Sequence, residues 1–163
     1  MGEEYIRSIG FNSSGYMVAG TKGGMVIYNG SAWEVKNTDN SDLPVNGIYY
    51  IEIDDEGNYK MGTEGGLVEF DGSVYSVMNN SNSGLSNNHI KHFTMEGEKI
   101  WFATEGGLIS NSDQVEWNIF LSSFTPIPND KINCVKIDKF GNKWIATDGG
   151  IAVYRKGGVV QKK

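Results

Sequence analysis

One six-residue phrase recurs four times in this 163-residue chain and constrains its fold more than any other feature. It reads Gly20-Thr21-Lys22-Gly23-Gly24-Met25, Gly62-Thr63-Glu64-Gly65-Gly66-Leu67, Ala103-Thr104-Glu105-Gly106-Gly107-Leu108 and Ala146-Thr147-Asp148-Gly149-Gly150-Ile151. The pattern is small, Thr, charged, Gly, Gly, apolar. Successive copies stand 42, 41 and 43 residues apart. A period in this range, filled with strand-forming residues, signals a β-propeller or a related array. Four such units occupy the whole chain. The expected organisation is therefore one all-β domain, 1–163, with blades near 5–36, 47–78, 89–120 and 131–162.

The second unit shows how one period makes four strands. Ile48 to Ile53 is apolar and β-favouring, and the cluster Asp54-Asp55-Glu56-Gly57-Asn58 turns the chain into a second strand, Tyr59 to Thr63. Glu64-Gly65-Gly66 turns it again into Leu67 to Phe70, and Asp71-Gly72 reads as a two-residue hairpin turn before Tyr75 to Met78. Four short antiparallel strands with tight turns make a propeller blade. The other inner strands are Ile6 to Phe11, Ile90 to Met95 and Ile132 to Ile137, and all four are apolar at their first, fourth and sixth positions.

The phrase itself has a steric reading. Stacked blades bury both faces of the second strand, which favours the small residue before Thr. The two glycines supply positive φ for a tight turn, and the Thr hydroxyl bonds locally. A second phrase precedes three inner strands: Leu43-Pro44-Val45-Asn46-Gly47-Ile48, Leu85-Ser86-Asn87-Asn88-His89-Ile90 and Ile127-Pro128-Asn129-Asp130-Lys131-Ile132. Before the first strand stands Met1-Gly2-Glu3-Glu4-Tyr5-Ile6, so the chain opens inside this phrase.

Together the two phrases resemble the two-component regulator propeller repeat. The fourth unit is nearest to that pattern, running Asp138-Lys139-Phe140-Gly141-Asn142-Lys143-Trp144-Ile145-Ala146-Thr147-Asp148-Gly149-Gly150-Ile151. The third keeps the tryptophan as Trp101, while the first and second carry Val18 and Lys60 in its place. The resemblance implies a sensor role in the extracytoplasmic part of a bacterial hybrid sensor, with carbohydrate fragments as the ligand class. This chain has four repeats and no kinase or regulator segment, so no signalling output is carried over. Four blades leave three arrangements open: a closed four-bladed ring, a fragment of a longer array, or the preferred reading, two copies pairing head to tail into a closed eight-bladed ring.

Charge and composition exclude several classes. The net charge is −6 and the only basic run is Lys162-Lys163, which argues against a nucleic-acid partner. No apolar run approaches the ~20 residues that span a membrane, and the acidic start Met1-Gly2-Glu3-Glu4 is not a secretory signal. The single cysteine, Cys134, forms no intrachain disulfide and reads as a buried small hydrophobe.

Candidate ligand contacts gather where the loops between second and third strands meet the inter-blade linkers. They are Lys22, Glu64, Glu105 and Asp148 from the recurring phrase, and Asn46, Asn88, His89 and Asp130 from the linkers. One reading is a shallow polar pocket for a sugar or other small polar ligand. The other is that the linker Asn and Asp side chains only bond turn backbone. Glu64 and Glu105 occupy equivalent places, whereas a catalytic carboxylate pair needs unlike environments. No catalytic residue, metal or cofactor is expected. His92 reads as a core filler and the 54–58 cluster as a plain hairpin turn. Trp101 and Trp144 read as core, and Trp33, Tyr75 and Trp117 as packing against the adjacent blade. Tyr49 and Tyr50 have no matching aromatics in the other units and stand out as unit-specific. The leading function is non-enzymatic ligand sensing. A protein-interaction scaffold and a glycan-active hydrolase or lyase are the alternatives.

Overall fold

The computed structural model describes residues 5–113, 115–155 and 158–162. The opening segment Met1-Gly2-Glu3-Glu4 and Lys163 lie outside the described residues. Among the described residues all regular structure is β, arranged as four four-stranded antiparallel sheets whose strands neighbour one another in chain order. The first blade is β1 (Ile6–Phe11), β2 (Met17–Thr21), β3 (Met25–Tyr28) and β4 (Trp33–Lys36). The second is β5 (Ile48–Ile53), β6 (Tyr59–Thr63), β7 (Gly66–Phe70) and β8 (Tyr75–Met78). The third is β9 (Ile90–Glu96), β10 (Lys99–Thr104), β11 (Gly107–Asn111) and β12 (Trp117–Phe120). The fourth is β13 (Ile132–Ile137), β14 (Lys143–Thr147), β15 (Gly150–Arg155) and β16 (Gly158–Lys162).

The chain divides into two compact units, 1–78 and 79–163, each holding two blades. In the first unit, Val18 and Met25 of the first blade share a core with Ile48, Ile51, Tyr59, Met61 and Val68 of the second, and Leu43 of the linker closes it. In the other, Trp101, Ala103 and Leu108 of the third blade meet Ile132, Val135, Ile145 and Ala152 of the fourth, with Ile127 in the role of Leu43. Burying each such aliphatic side chain is worth ~1.5–3 kcal/mol. The small residue before Thr answers to this packing: a Cβ at Gly20 would stand 2.6 Å from Ile48 Cγ2.

Each inner strand pairs with its neighbour through one irregularity near its start, as at Ile48/Tyr50 and Ile132/Cys134. In the first, second and fourth blades the first hairpin is closed by an Asp or Asn acting on its own turn, whereas in the third it is the tight Gly97-Glu98 connection between Glu96 and Lys99. Asp54 Oδ1 accepts from the Glu56 and Asn58 amides, and Asp138 Oδ1 from those of Phe140 and Asn142.

Four expectations need correction. The third hairpin centres on Gly72-Ser73 rather than on Asp71-Gly72. Gly72 takes φ 91°, and Asp71 Oδ1 accepts from the Ser73 and Val74 amides. The outer-strand aromatics stack within their own blade, Trp33 on Tyr28 at 4.6 Å, Tyr75 on Phe70 at 4.3 Å and Trp117 on Phe102 at 6.3 Å; the expected packing against the adjacent blade holds for Tyr75, which lies on the core shared with the first blade, while Trp33 stays 64% exposed. The register sets the first two contacts, Tyr28↔Trp33 and Phe70↔Tyr75, whereas Trp117 pairs with Asn111 and reaches past β11 to Phe102 on β10. Trp101 is core at 1% exposure, but Trp144 is 40% exposed, because no sheet of the described residues packs on its face of the fourth blade as the fourth blade packs on Trp101. Cys134 is half-buried rather than buried, and burial pushes its thiol pKa up, opposed by Lys136. His92 is buried as expected.

Candidate functional site

The recurring phrase builds the same clamp in each blade. Thr Oγ1 donates to the carbonyl of the second Gly at 2.9, 2.7, 2.7 and 2.9 Å for Thr21, Thr63, Thr104 and Thr147. It accepts from the amide of the first Gly at 2.9, 3.0, 3.1 and 3.0 Å. Only the second Gly takes positive φ, 130°, 126°, 110° and 128° in order. The first is required for space, since a Cβ at Gly65 would lie 2.7 Å from Val45 Cγ2 and one at Gly149 2.9 Å from the Pro128 carbonyl. In the second, third and fourth blades the charged residue between Thr and the two glycines ties its backbone amide to the linker: Glu64 to the Gly47 carbonyl at 3.1 Å, Glu105 to His89 at 3.3 Å, Asp148 to Lys131 at 3.1 Å. Its side chain is the one part of the phrase that the turn does not use.

In the 79–163 unit these side chains join. Glu105 Oε2 lies 3.3 Å from His89 Nδ1, and its Oε1 lies 3.3 Å from Lys91 Nζ. Lys91 donates to Asn133 Oδ1 at 3.1 Å, and Asn133 Nδ2 donates to Asp148 Oδ1 at 2.7 Å. Two phrase carboxylates from neighbouring blades are thus linked through two inner-strand residues. The row is open to solvent, with side-chain exposures of 31% for His89, 36% for Glu105 and 21% for Lys91. Partial burial favours the protonated form of Glu105. The hydrogen bond from Lys91 and the charges of His89, Lys91 and Lys131 outweigh it, and the carboxyl pKa lies below its ordinary value.

In the 1–78 unit, Lys22 is exposed. The Glu64 carboxylate lies against Gly47, where a Cβ would approach its Oε2 to 2.8 Å. The guanidinium of Arg7 sits 4.1 Å over the Tyr49 ring.

The linker residues are engaged locally. Asn46 accepts from the Thr38 amide at 2.9 Å and donates to Thr38 Oγ1 at 3.0 Å. Asn88 repeats this on Asn80 at 2.7 and 3.0 Å, and Asp130 accepts from the Ser122 amide at 2.6 Å. Each of these side chains pins the loop that follows the outer strand eight residues earlier.

Sequence reasoning named His89, Glu105 and Asp148 but missed Lys91 and Asn133. Both occupy the second position of an inner strand, where Arg7 and Tyr49 stand in the other unit. The signal was available: the first, fourth and sixth positions are apolar throughout, while the second carries Arg, Tyr, Lys and Asn. In each unit the two second-position side chains touch. Tyr49, marked as unit-specific, belongs to this set.

A separate cleft of about 280 Å³ lies on the second blade, lined by Asn58, Tyr59, Lys60, Glu69, Phe70, Asp71, Val74 and Ser76. Lys60 and Glu69 form an ion pair across it. Among the described residues no group of three or more His, Cys, Asp or Glu is placed to hold a metal ion. Among the described residues no helix is long and apolar enough to cross a membrane.

The blades, their order and the clamp define a β-propeller architecture. No family model matches the chain, and no curated protein matches it. Solved structures share the fold. The extracellular domain of a hybrid two-component system from B. thetaiotaomicron superposes with a TM-score of 0.80 at 23% identity over 98% of this chain. The extracellular domain of a one-component system from the same organism gives 0.81 at 17% identity over 98%. The chain spans 23% and 22% of those two domains. A virginiamycin B lyase from Staphylococcus aureus, solved with quinupristin, gives 0.68 at 11% identity over 99% of this chain and 56% of its own.

Proposed function

We propose that this chain is a non-enzymatic, ligand-binding stretch of a sensing β-propeller, acting outside the cytoplasm on a small, neutral polar ligand such as a carbohydrate fragment. The observation that carries this reading is the row His89–Glu105–Lys91–Asn133–Asp148. It presents alternating donors and acceptors at one end of two packed blades, on side chains that the turn clamp does not use. Such a row suits hydroxyl groups, which donate and accept at once. The likeness to extracellular sensor domains supports the setting.

The same row argues against glycoside hydrolysis. A general acid there needs a carboxyl held protonated near neutrality, with a pKa raised by its surroundings. Glu105 is shifted the other way.

A thermal-shift screen of neutral oligosaccharides, followed by calorimetric titration of each hit, tests the proposal. Glu105→Ala and Lys91→Ala are expected to weaken a hit by roughly ten- to a hundredfold, one charge-assisted hydrogen bond of ~1.5–3 kcal/mol being lost. Asn46→Ala is expected to lower stability and leave affinity alone. Affinities untouched by Glu105→Ala and Lys91→Ala would remove the site.

A further inference from the structure

The first and fourth blades each leave one apolar face open, and the chain's own internal interfaces show what fits there. In β5 and β13 the first and fourth positions are sealed against the preceding blade, with Ile48 at 0%, Ile51 at 3%, and Ile132 and Val135 at 0% exposure. The same positions of β1, with its sixth, are Ile6 at 62%, Ile9 at 57% and Phe11 at 67%. The complementary face behaves alike. Val18 and Met25 of the first blade are 0% exposed, and Trp101 and Leu108 of the third are 1% and 0%. Their counterparts in the fourth blade are Trp144 at 40% and Ile151 at 49%.

Trp144 is also poised as its buried twin is. Trp101 Nε1 donates to Glu96 Oε2 at 3.0 Å, and Trp144 Nε1 donates to Asp138 Oδ2 at 3.0 Å. Both acceptors are the residue that follows the sixth position of the inner strand. One indole is covered by the next blade and the other faces water.

We propose that the open face of the first blade, Ile6, Ile9 and Phe11, docks on the open face of the fourth blade, Trp144 and Ile151, of a second copy. The argument is continuity with an interface the chain already makes twice. Within the 1–78 unit, β5 presents the Ile6/Ile9 pattern to the Val18/Met25 pattern of the first blade; within the 79–163 unit, β13 presents it to Trp101 and Leu108. A face of each kind stands uncovered, and a second copy supplies both complements. Two copies that dock through both pairs of faces form two identical, head-to-tail interfaces and take both apolar faces of each out of water.

Sedimentation equilibrium of the 163-residue chain reads the outcome. The expected mass is twice 17.9 kDa. Ile9→Asp and Ile151→Asp, each on a face exposed in the single chain, are both expected to give monomers with unchanged far-ultraviolet circular dichroism. An equimolar mixture of the two variants is expected to recover a heterodimer, since one of its two interfaces is wild type on both sides. Iodide quenching in a Trp33→Phe chain, whose most exposed remaining indole is Trp144, is expected to fall as concentration rises and reports the same docking with both faces unaltered. A monomer at millimolar concentration overturns the proposal and assigns the faces to other blades of a longer polypeptide. So does an open ladder of oligomers, or a dimer that survives one of the two substitutions and therefore pairs like face with like.

Discussion

The turn clamp makes a quantitative prediction, because four equivalent threonines differ in little but burial. Thr104 is fully buried, donates to the Gly107 carbonyl at 2.7 Å and accepts from the Gly106 amide at 3.1 Å. Valine has nearly the same shape, so Thr104→Val opens no cavity and deletes only the hydroxyl. A buried donor or acceptor left unpaired costs about 1–3 kcal/mol, and two are left, so the expected loss is ~2–6 kcal/mol. Thr147 makes the same two bonds, at 2.9 and 3.0 Å, in a half-exposed turn. Water replaces its hydroxyl there, and Thr147→Val is expected to cost only ~0.5–1 kcal/mol. The gap between the variants is at least ~1 kcal/mol, several-fold in the folding constant. Urea unfolding followed by circular dichroism measures it, as a shift in midpoint at constant m. Both substitutions are placed in the Ile9→Asp background, which keeps the fourth blade's open face in water. Equal losses for the two variants would refute the reasoning, since they would show that the clamp's strength does not depend on solvent access.

Other outcomes are expected from the same structure. Gly20→Ala forces a Cβ into Ile48 Cγ2 and is expected to cost ~1–3 kcal/mol of overpacking in thermal unfolding; a neutral result would mean that the two blades separate without penalty. Burial opposes the charge of Glu96, but hydrogen bonds from Lys143 and Trp101 and the charges of Lys143 and Lys99 prevail and hold its pKa below the ordinary value. Its contribution is therefore present above the usual carboxylate range and lost as pH falls through the depressed folded value. The Tm difference between the unaltered chain and Glu96→Gln should accordingly narrow on acidification, and a constant difference would contradict the pairing. Burial, helped by Lys136, holds His92 at about 4 against 6.5 in the unfolded chain. Stability should thus fall as pH drops from about 6.5 toward 4, and His92→Phe should remove that slope. Asp138→Asn should keep the first hairpin of the fourth blade, as Asn12 does in the first, whereas Asp138→Ala should lower Tm further; the reverse order would deny the turn role of this side chain.

Most of the strands were legible because each blade repeats a pattern tied to local geometry. Alternation in β5 and β13, the Asp-x-x-Gly-Asn turn and the Gly-Gly turn are set within a few residues of one another, and the structure places them where the spacing predicts. The hairpin at Asp71 was misplaced by one residue because Asp71 closes the turn with its side chain, a job its identity permits but does not announce. The candidate site was legible in part. The charged slot between Thr and Gly-Gly was visible as the one position the turn left free. Lys91 and Asn133 were missed because the second position of an inner strand matters only once two blades pack and bring two such positions together.

The sequence by itself determined the repeat, the four-stranded blade and the clamp at each turn, because these rest on contacts between residues near in the chain. Tertiary structure decided what the repeat could not. Four equivalent threonines and two equivalent tryptophans carry the same identity in the sequence, yet Thr104 is buried and Thr147 half-exposed, Trp101 sealed and Trp144 in water. The difference is the presence or absence of a neighbouring sheet, a property of stacking along the array rather than of any single blade. The polar row from His89 to Asp148 arises in the same way, from two blades meeting, and with it the surface on which a ligand could be read.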